Sequence, residues 1–480
     1  MKSWKPKLGD KVVRHPRLSE LAPIHMTVSN QKKRSPFNAS PLTLAYAFLG
    51  LIIIGSIILI LPIAHYDSGY PIITAIFTAT SAVTVTGLTV VDTPTYWTKF
   101  GQTIILVLIF LGGLGFMTLA TFLLTLFGQR VSLNQRLLML RETSGNEFSK
   151  FGGGVGALAI KLVILIVILQ LIGFILFSIR FVFFSDIEDP WWQSIFLAIS
   201  GFNNAGFTIT QNSASLSIFQ TDRFITSILT GLTIFGGLSY WVIMDLITQK
   251  RFGLYSLNTK IIITLTGILL VAGFTTHFIF EYSNPLSIGN LDIIDKATNS
   301  LFVSATLRSA GFATYDFVDS TMVTKMISLI LMFIGGAPSS VAGGIKITTF
   351  VILIALIYSV LQKTNHAKIF GREILESQIR KAITIILLAL SFLVFATILL
   401  SIIESKNNIG LFNLFFDLVS AFVTCGSSMG VTSSFSPLGQ IFLSLVMFIG
   451  RVIPITIIIL LSRPNDTDLY RFPTERVPIG

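Results

Sequence analysis

The chain has 480 residues, of which 52% are hydrophobic and only 12% are charged. Charged residues make up about a quarter of an ordinary soluble domain, so this composition excludes a soluble globular protein and indicates an integral membrane protein. The single cysteine, Cys425, excludes an intramolecular disulfide framework and a cysteine-based metal site.

Residues 1–40 precede the first long apolar segment and contain nine of the 34 Lys and Arg residues. The apolar segment that follows is too long for the core of a signal peptide. We expect residues 1–40 to form a basic cytoplasmic extension without a fixed fold, which contacts membrane lipid or a partner protein.

Eight apolar segments approach or exceed the roughly 20 residues that cross a bilayer as a helix. Between the members of each pair of segments lies a shorter amphipathic stretch that ends in a polar glycine motif, which indicates a re-entrant half-helix and loop. The sequence therefore predicts an all-α integral membrane protein, with four tandem helix–pore loop–helix repeats around a single pore and eight spanning helices. The segments lie at about 42–64, 101–127, 156–184, 221–248, 258–280, 323–361, 381–404 and 436–462.

The repeats carry two sequence marks. The loop glycines recur at intervals of 119, 105 and 115 residues, and a second motif, "FLGGLGF", "IFGGLSY", "FIGGAPS" or "FIGRVIP", follows each of them. Two marks in a fixed order indicate an internal repeat. We expect the parts of the chain to be an extension at 1–40, repeats at 41–130, 155–250, 257–362 (with an intramembrane loop at 335–346) and 380–463, and a cytoplasmic tail at 464–480.

The distribution of positive charge predicts the orientation in the membrane. Of the 34 Lys and Arg residues, 25 lie in five stretches away from the glycine motifs, and only seven lie in the stretches that contain them. By the positive-inside rule the glycine loops enter from the outer face, and both termini are cytoplasmic. The net charge of +11 is then mostly explained by the orientation in the membrane. The basic cytoplasmic face is expected to attract anionic lipid, and nucleic acid is not an expected partner.

Four glycine loops around one axis would bring four sets of backbone carbonyls to a common point. A ring of carbonyls replaces the hydration shell of a monovalent cation, and glycine permits the backbone dihedrals that aim them inward. The carboxyl ends of the half-helices add negative potential. The pattern predicts a cation filter at Gly87, Gly206, Gly311 and Gly426, with the neighbours Val85, Thr86, Asn204, Ala205, Ser309, Ala310, Thr424 and Cys425.

The motifs "TVTGL", "NNAGF", "RSAGF" and "TCGSS" resemble the four filter loops of the potassium-translocating membrane subunits of bacterial Ktr systems. That superfamily includes the Trk membrane subunits and the plant high-affinity potassium transporters, and the resemblance runs from about residue 40 to the end. It implies potassium uptake across a bacterial plasma membrane, with potassium bound at the four glycines. Glycine rather than serine in the first loop implies a preference for potassium; whether sodium stimulates or accompanies transport stays open.

The same resemblance implies partners. Membrane subunits of this family pair as homodimers in which each chain has its own pore. A cytosolic ring of nucleotide-binding regulatory subunits would dock on the basic loops and on the tail "DLYRFPTERVPIG". No organic cofactor is implied.

The stretch "IGGAPSSVAGGIKITTF" interrupts the sixth apolar segment with glycine and proline. Such a sequence predicts an unwound loop below the filter, and the resemblance implies that this loop gates the pore. A helix that is merely kinked, with close glycine packing, is the alternative. The residues expected to form the gate loop are Gly335, Gly336, Pro338, Gly343, Gly344 and Lys346.

The remaining charged residues of interest are Arg451 and Asp245, which have two interpretations each, and Arg308, which has one. Arg451 stands where the other repeats have a second glycine, and the resemblance implies that it lines the pore beside the gate loop; the alternative is an arginine that snorkels to the cytoplasmic interface, as for Lys346. Asp245 is expected at the cytoplasmic end of its helix, with a pore-facing carboxylate as the alternative. Arg308 is expected to support the filter through a carboxylate or carbonyl near the outer mouth.

No nucleophile elbow, phosphate loop or paired histidine motif is present, so we do not expect an enzyme. "FGGGVGALA" lacks the preceding strand of a dinucleotide-binding motif. A secondary transporter that couples sodium or protons to another solute is the alternative function. Parallel repeats and a near-absence of buried carboxylates weigh against it.

Overall fold

The computed structural model describes residues 42–67, 69, 71–114, 155–184, 187–210, 216–364 and 366–460. The predicted extension at 1–40 and tail at 464–480 lie outside these residues, as does the end of the first predicted repeat beyond Leu114. The described residues all belong to one compact unit, Ala39–Gly480.

Helices make up nearly all of the regular structure. In chain order they are α1 (Leu42–Ile60), α2 (Ile72–Thr84), α3 (Lys99–Leu114), α4 (Val155–Phe184), α5 (Pro190–Phe202), α6 (Arg223–Gly237), α7 (Tyr240–Thr248), α8 (Leu257–Phe280), α9 (Ile293–Thr306), α10 (Met322–Phe333), α11 (Ile347–Leu361), α12 (Glu376–Ile403), α13 (Leu411–Phe422) and α14 (Pro437–Leu460). A single helical turn at Thr93–Tyr96, short 3-10 turns and an antiparallel hairpin of β1 (Lys368–Ile369) and β2 (Arg372–Glu373) lie between them.

Four of these helices are short and lie inside the protein. The helices α2, α5, α9 and α13 have 13, 13, 14 and 12 residues. At about 1.5 Å per residue each is roughly 20 Å long, less than the roughly 30 Å of the hydrocarbon core. Their carboxyl-terminal ends are buried, as in α2, where every residue from Phe77 to Thr84 is buried. The predicted half-helices therefore correspond to real short helices.

The helices pack in a closed order. Each short helix contacts the long helix that precedes it and also a helix from the stretch before: α2 contacts α1 and α14, α5 contacts α4 and α3, α9 contacts α8 and α6, and α13 contacts α12 and α10. Because α14 at the end of the chain meets α2 near its start, the four short helices form a ring. This arrangement brings their carboxyl ends, and the loops that follow, to the centre of the molecule.

Among the described residues, three helical segments are long and apolar enough to cross a membrane: Ile160–Phe183, Leu257–Phe280 and Glu376–Ile403. The pair α6 and α7 passes the same test as one span, although it is bent by 101°. The other apolar helices have fewer than 18 residues whose side chains are described; for α1 and α14 these are Ala45–Ile60 and Pro437–Val452. Eight spanning helices therefore remain a prediction.

Two of the predicted apolar segments are interrupted. The chain is not helical between Phe333 and Ile347, so the sixth segment contains a loop and is not a continuous kinked helix. The sequence did not predict the second interruption, the sharp bend between α6 and α7 at Leu238 and Ser239.

Candidate functional site

The four glycines at the ends of the short helices share one backbone conformation. Their φ angles are 90° at Gly87, 72° at Gly206, 67° at Gly311 and 94° at Gly426. These values lie in the left-handed region, where a side chain is strained and glycine is not. The conformation gives a physical reason for glycine at each position.

The four glycines also face one another in a closed cycle. A Cβ atom added at any of them would lie closer than 3.0 Å to the carbonyl oxygen of the residue that precedes the next glycine. These contacts run from Gly87 to Ala205, from Gly206 to Ala310, from Gly311 to Cys425 and from Gly426 to Thr86. The loops therefore surround one axis, and no side chain fits between them at this level.

Amide groups of the loops are directed back toward the short helices. The Gly87 amide donates to the Ser81 hydroxyl, and the Gly426 amide donates to the Ser420 hydroxyl, both at 3.0 Å. The Gly311 amide donates to the carbonyl of Thr306 at 3.1 Å. Because these donors are engaged away from the axis, the groups left to face the axis are carbonyl oxygens, which attract a cation.

The filter neighbours differ in one respect between the loops. Val85, Asn204 and Thr424, each two residues before its glycine, have φ angles of 57°, 55° and 51°. Ser309 holds this place in the third loop and has no positive φ angle. Its hydroxyl accepts a hydrogen bond from the amide of Gly343 at 3.0 Å, so the third loop is joined to the interrupted helix below it.

The interrupted segment, residues 334–346, is a closed loop. Its ends are paired in parallel, since the Gly335 amide donates to the Ile345 carbonyl at 3.0 Å and the Ile347 amide donates to the Gly336 carbonyl at 3.1 Å. A Cβ at Gly343 would meet the Thr424 side chain and the Val423 carbonyl of the fourth loop. The segment thus lies directly against the filter residues.

Arg451 points into the interior of the protein. Its guanidinium donates to the Val341 carbonyl at 2.6 Å and to the Gly112 carbonyl at 3.3 Å. Lys346 donates to the Ala342 carbonyl at 2.5 Å. Within the described part of the chain neither cation has an ion pair with a carboxylate, so both add positive charge beside the segment.

Arg308 and Asp245 both have polar partners among the described residues. Arg308 is 8% exposed and donates to the hydroxyl of Thr266 at 3.4 Å, while its Nε has no partner within the described residues. Within the described residues this partner is a hydroxyl and not the expected carboxylate or carbonyl, and support of the filter by Arg308 stays a prediction. Asp245 accepts from the Ser256 amide at 3.2 Å and from the Thr259 hydroxyl at 2.7 Å. It holds the start of α8 and is not a pore-facing carboxylate.

The expected near-absence of buried carboxylates is also wrong. Glu281, Glu404 and Asp417 are at most 4% exposed. Each accepts a backbone N–H, from Thr321 at 2.8 Å, Ser436 at 3.0 Å and Met429 at 2.7 Å respectively. They hold the chain in place after the glycine loops. The recurrence of "EYSN" and "ESKN" at Glu281 and Glu404 is the signal that could have revealed two of them.

Comparisons with known proteins agree with this geometry. The family model of the TrkH cation transport protein matches residues 22–468. The Ktr system potassium uptake protein B of Bacillus subtilis is 36% identical over 440 residues, which cover 92% of this chain and 96% of that protein. The potassium/sodium uptake protein NtpJ of Enterococcus hirae is 33% identical over 454 residues, covering 94% and 99%.

Among solved structures, the potassium transporter TrkH from Vibrio parahaemolyticus has a similar fold. The TM-score is 0.67, and the match covers 90% of this chain and 86% of that protein at 18% sequence identity. The Ktr system potassium uptake protein B of Vibrio alginolyticus, 34% identical over 455 residues, covers 94% of this chain and 98% of that protein. The resemblance to Ktr membrane subunits is thus confirmed.

Proposed function

Because the chain belongs to the TrkH family of cation transport proteins, and the relatives similar to it are ion transporters and not enzymes, we propose that it takes up potassium through a filter of four glycines. The filter is formed by Gly87, Gly206, Gly311 and Gly426. Residues 335–346 act as its gate.

The closed cycle of glycines and carbonyls is the observation that supports the filter most directly. Each glycine lies against the carbonyl of the next loop, and all four φ angles are positive. A dehydrated monovalent cation on the axis would be held by backbone oxygens in place of water. The ring excludes larger solutes, and the carboxyl ends of the short helices disfavour anions.

The gate proposal is supported by what lies below the ring. The segment 334–346 packs against the third and fourth loops, and Arg451 and Lys346 donate to its carbonyls. Two cations in this place oppose the passage of potassium. Conduction then requires the segment and its two cations to move away from the axis.

The architecture and orientation extend the same proposal. Four helix–pore loop–helix repeats with eight spanning helices surround one pore, and both termini are cytoplasmic. The ring of short helices and the distribution of Lys and Arg support this arrangement. The partners are a second copy of the chain, a cytosolic nucleotide-binding ring of the Ktr type, and membrane lipid.

The names of the relatives and the filter sequence point in different directions on whether sodium is transported with potassium. One relative is named a potassium/sodium uptake protein, whereas four glycines favour potassium. A transporter that couples protons to another solute is not favoured, because the buried carboxylates Glu281, Glu404 and Asp417 are all engaged by protein donors.

The test is rubidium influx into cells that lack their own potassium uptake and express this chain. Gly311→Ser should lower influx and weaken the preference for potassium over sodium, because its φ is 67° and its Cβ would collide with the fourth loop. Gly267→Ser is the matched control, since a Cβ at Gly267 meets nothing within 4 Å. Unchanged influx and unchanged preference in Gly311→Ser would refute the filter.

A further inference from the structure

Two apolar segments of the chain are broken, and each break leaves backbone groups without helical partners. The helix α6 ends at Gly237 and resumes as α7 at Tyr240 after a bend of 101°. The helix α10 ends at Phe333, and α11 starts only at Ile347. Inside a membrane such groups must be satisfied by protein or by water in a cavity.

The two breaks satisfy each other. The Ala337 amide donates to the Gly237 carbonyl at 3.1 Å, and the Val341 amide donates to the Gly236 carbonyl at 3.3 Å. Donors that the interrupted segment cannot use within a helix thus meet acceptors that the bend of α6 exposes. Around them is an apolar cluster separate from the main core, formed by Leu238, Val242, Ile243, Ile262 and Ala337.

Both backbone polar groups of Val341 are hydrogen-bonded to other parts of the chain. Its amide is bound by Gly236, and its carbonyl accepts from Arg451 at 2.6 Å. The tip of the segment is therefore fixed by residues from two other parts of the chain, the bend after α6 and the last helix α14. Neither contact involves the filter glycines.

We propose that the bend at Gly236–Leu238 is the seat on which the interrupted segment closes, and that potassium passes only when the segment leaves this seat. The inference rests on the proposed gate and extends it to a part of the chain with no filter or gate sequence. Gly236 and Gly237 are positioning residues, since they act through the segment. Separation exposes two amides and two carbonyls, so it occurs together with entry of water.

A reversible bridge between seat and segment tests this directly. The Gly237 carbonyl and the Ser340 hydroxyl both lie 3.1 Å from the position that a Cβ at residue 336 would occupy, so residues 237 and 340 are neighbours. A Cβ at Gly237 itself would lie 3.6 Å from the Asn204 amide nitrogen, so the linker must be flexible as well as short. The variant Gly237→Cys with Ser340→Cys is treated with a short bis-methanethiosulfonate, which dithiothreitol removes. A protease site inserted at the exposed Gly253 separates the two halves, so bridging is visible on a gel.

The expected result is loss of rubidium influx on bridging and its return with dithiothreitol. The matched control is Gln220→Cys with Ser287→Cys, which joins the same two parts of the chain where Gln220 donates to the Ser287 carbonyl at 2.8 Å; influx there should not change on bridging. Bridged protein that still takes up rubidium would overturn the seat. Absence of rubidium uptake by the unmodified chain would instead count against the proposed function.

A second variant tests the proposal if the double-cysteine variant takes up no rubidium even before it is bridged. Gly336→Ala places a Cβ in collision with Ala342 of the same segment and 3.1 Å from the Gly237 carbonyl, so the segment must shift where it lies against its seat. Influx by the chain expressed alone should rise above that of the unmodified chain, and Gly267→Ala should not raise it. Equal or lower influx in Gly336→Ala would contradict the proposal.

Discussion

Each of the four short helices lies in its own stretch of the chain, at 42–114, 155–248, 257–361 and 376–460. The third stretch, 257–361, differs from the other three at the place where its last helical segment meets the short helix. A Cβ at Gly112, Gly236 or Gly450 would collide with a carbonyl at the end of a short helix, that of Val83, Phe202 or Phe422 respectively. A Cβ at Gly335, in the same motif of the third stretch, would instead collide with the Gly343 carbonyl of the interrupted segment. Three of these glycines thus allow the end of a short helix to pack closely against them. The fourth allows close packing of the loop that we propose as the gate.

The glycine loops show the same division. Ser81, Ser200 and Ser420 stand six residues before their glycines, and the third stretch has Ala305 there. In the three similar loops the carbonyl of that serine accepts the amide just before the glycine, at 2.8 to 2.9 Å. In the third loop the acceptor is the Thr306 carbonyl. The shared features hold the ring, and the features unique to the third stretch connect the ring to the segment.

The largest effect on rubidium influx should come from a substitution in the ring of four glycines, to which all four stretches contribute. Gly87→Ala puts a Cβ at a φ of 90° and against the Ala205 carbonyl. A strained left-handed residue costs about 1–2 kcal/mol before any collision, so rubidium influx should fall at least about tenfold. Gly311→Ala should cause a loss of the same order if the ring is symmetric. A large loss in one variant and none in the other would show that the walls are not equivalent.

Arg451, on the last helix, tests the interrupted segment of the third stretch, because it donates to a carbonyl of that segment. Arg451→Gln removes a cation and weakens the hydrogen bonds to the Val341 and Gly112 carbonyls. Hydrogen bonds of charged groups are worth about 1.5–3 kcal/mol, so basal influx by the chain alone should rise about tenfold or more. Arg451→Lys keeps the charge and should rise less. A fall in influx in Arg451→Gln would mean that this arginine supports the conducting state.

Arg308 is the charge that distinguishes the third loop, where the other loops have Thr84, Asn203 and Val423. At an effective dielectric constant of about 20, two like unit charges repel by about 1 kcal/mol even when they are on the order of 15 Å apart. Arg308→Gln should therefore lower the KM for potassium about fivefold. Thr266→Val, which removes the 3.4 Å hydrogen bond and keeps the charge, should leave KM nearly unchanged. Equal effects in both variants would indicate a purely structural role.

The sequence could predict the parts of the site that depend on local chemistry. The four glycines are required by backbone conformation and recur at a readable interval. The loop at 335–346 contains four glycines and a proline, which cannot continue a helix. These features are visible because the residue types are themselves unusual within an apolar segment.

Features that depend on tertiary contacts were not predictable in this way. The bend after Gly237 lies in "IFGGLSYWVI", which reads as a continuous apolar helix; it is stable because the interrupted segment, a hundred residues later, donates to its carbonyls. The partner of Arg308 and the roles of Glu281 and Glu404 likewise depend on which helices become neighbours. Composition gives no information about such pairings.

The smallest predicted effect concerns the serines behind the ring. Ser420→Ala removes the hydroxyl that accepts the Gly426 amide at 3.0 Å. One hydrogen bond of this kind contributes about 1 kcal/mol, so the preference for potassium over sodium should fall a few-fold with influx largely retained. Ala305→Ser adds the missing hydroxyl to the third loop and should leave that preference unchanged, because the Gly311 amide already donates to Thr306. If Ala305→Ser instead raised the preference, the third loop would be an imperfect copy of the others and not a specialised one.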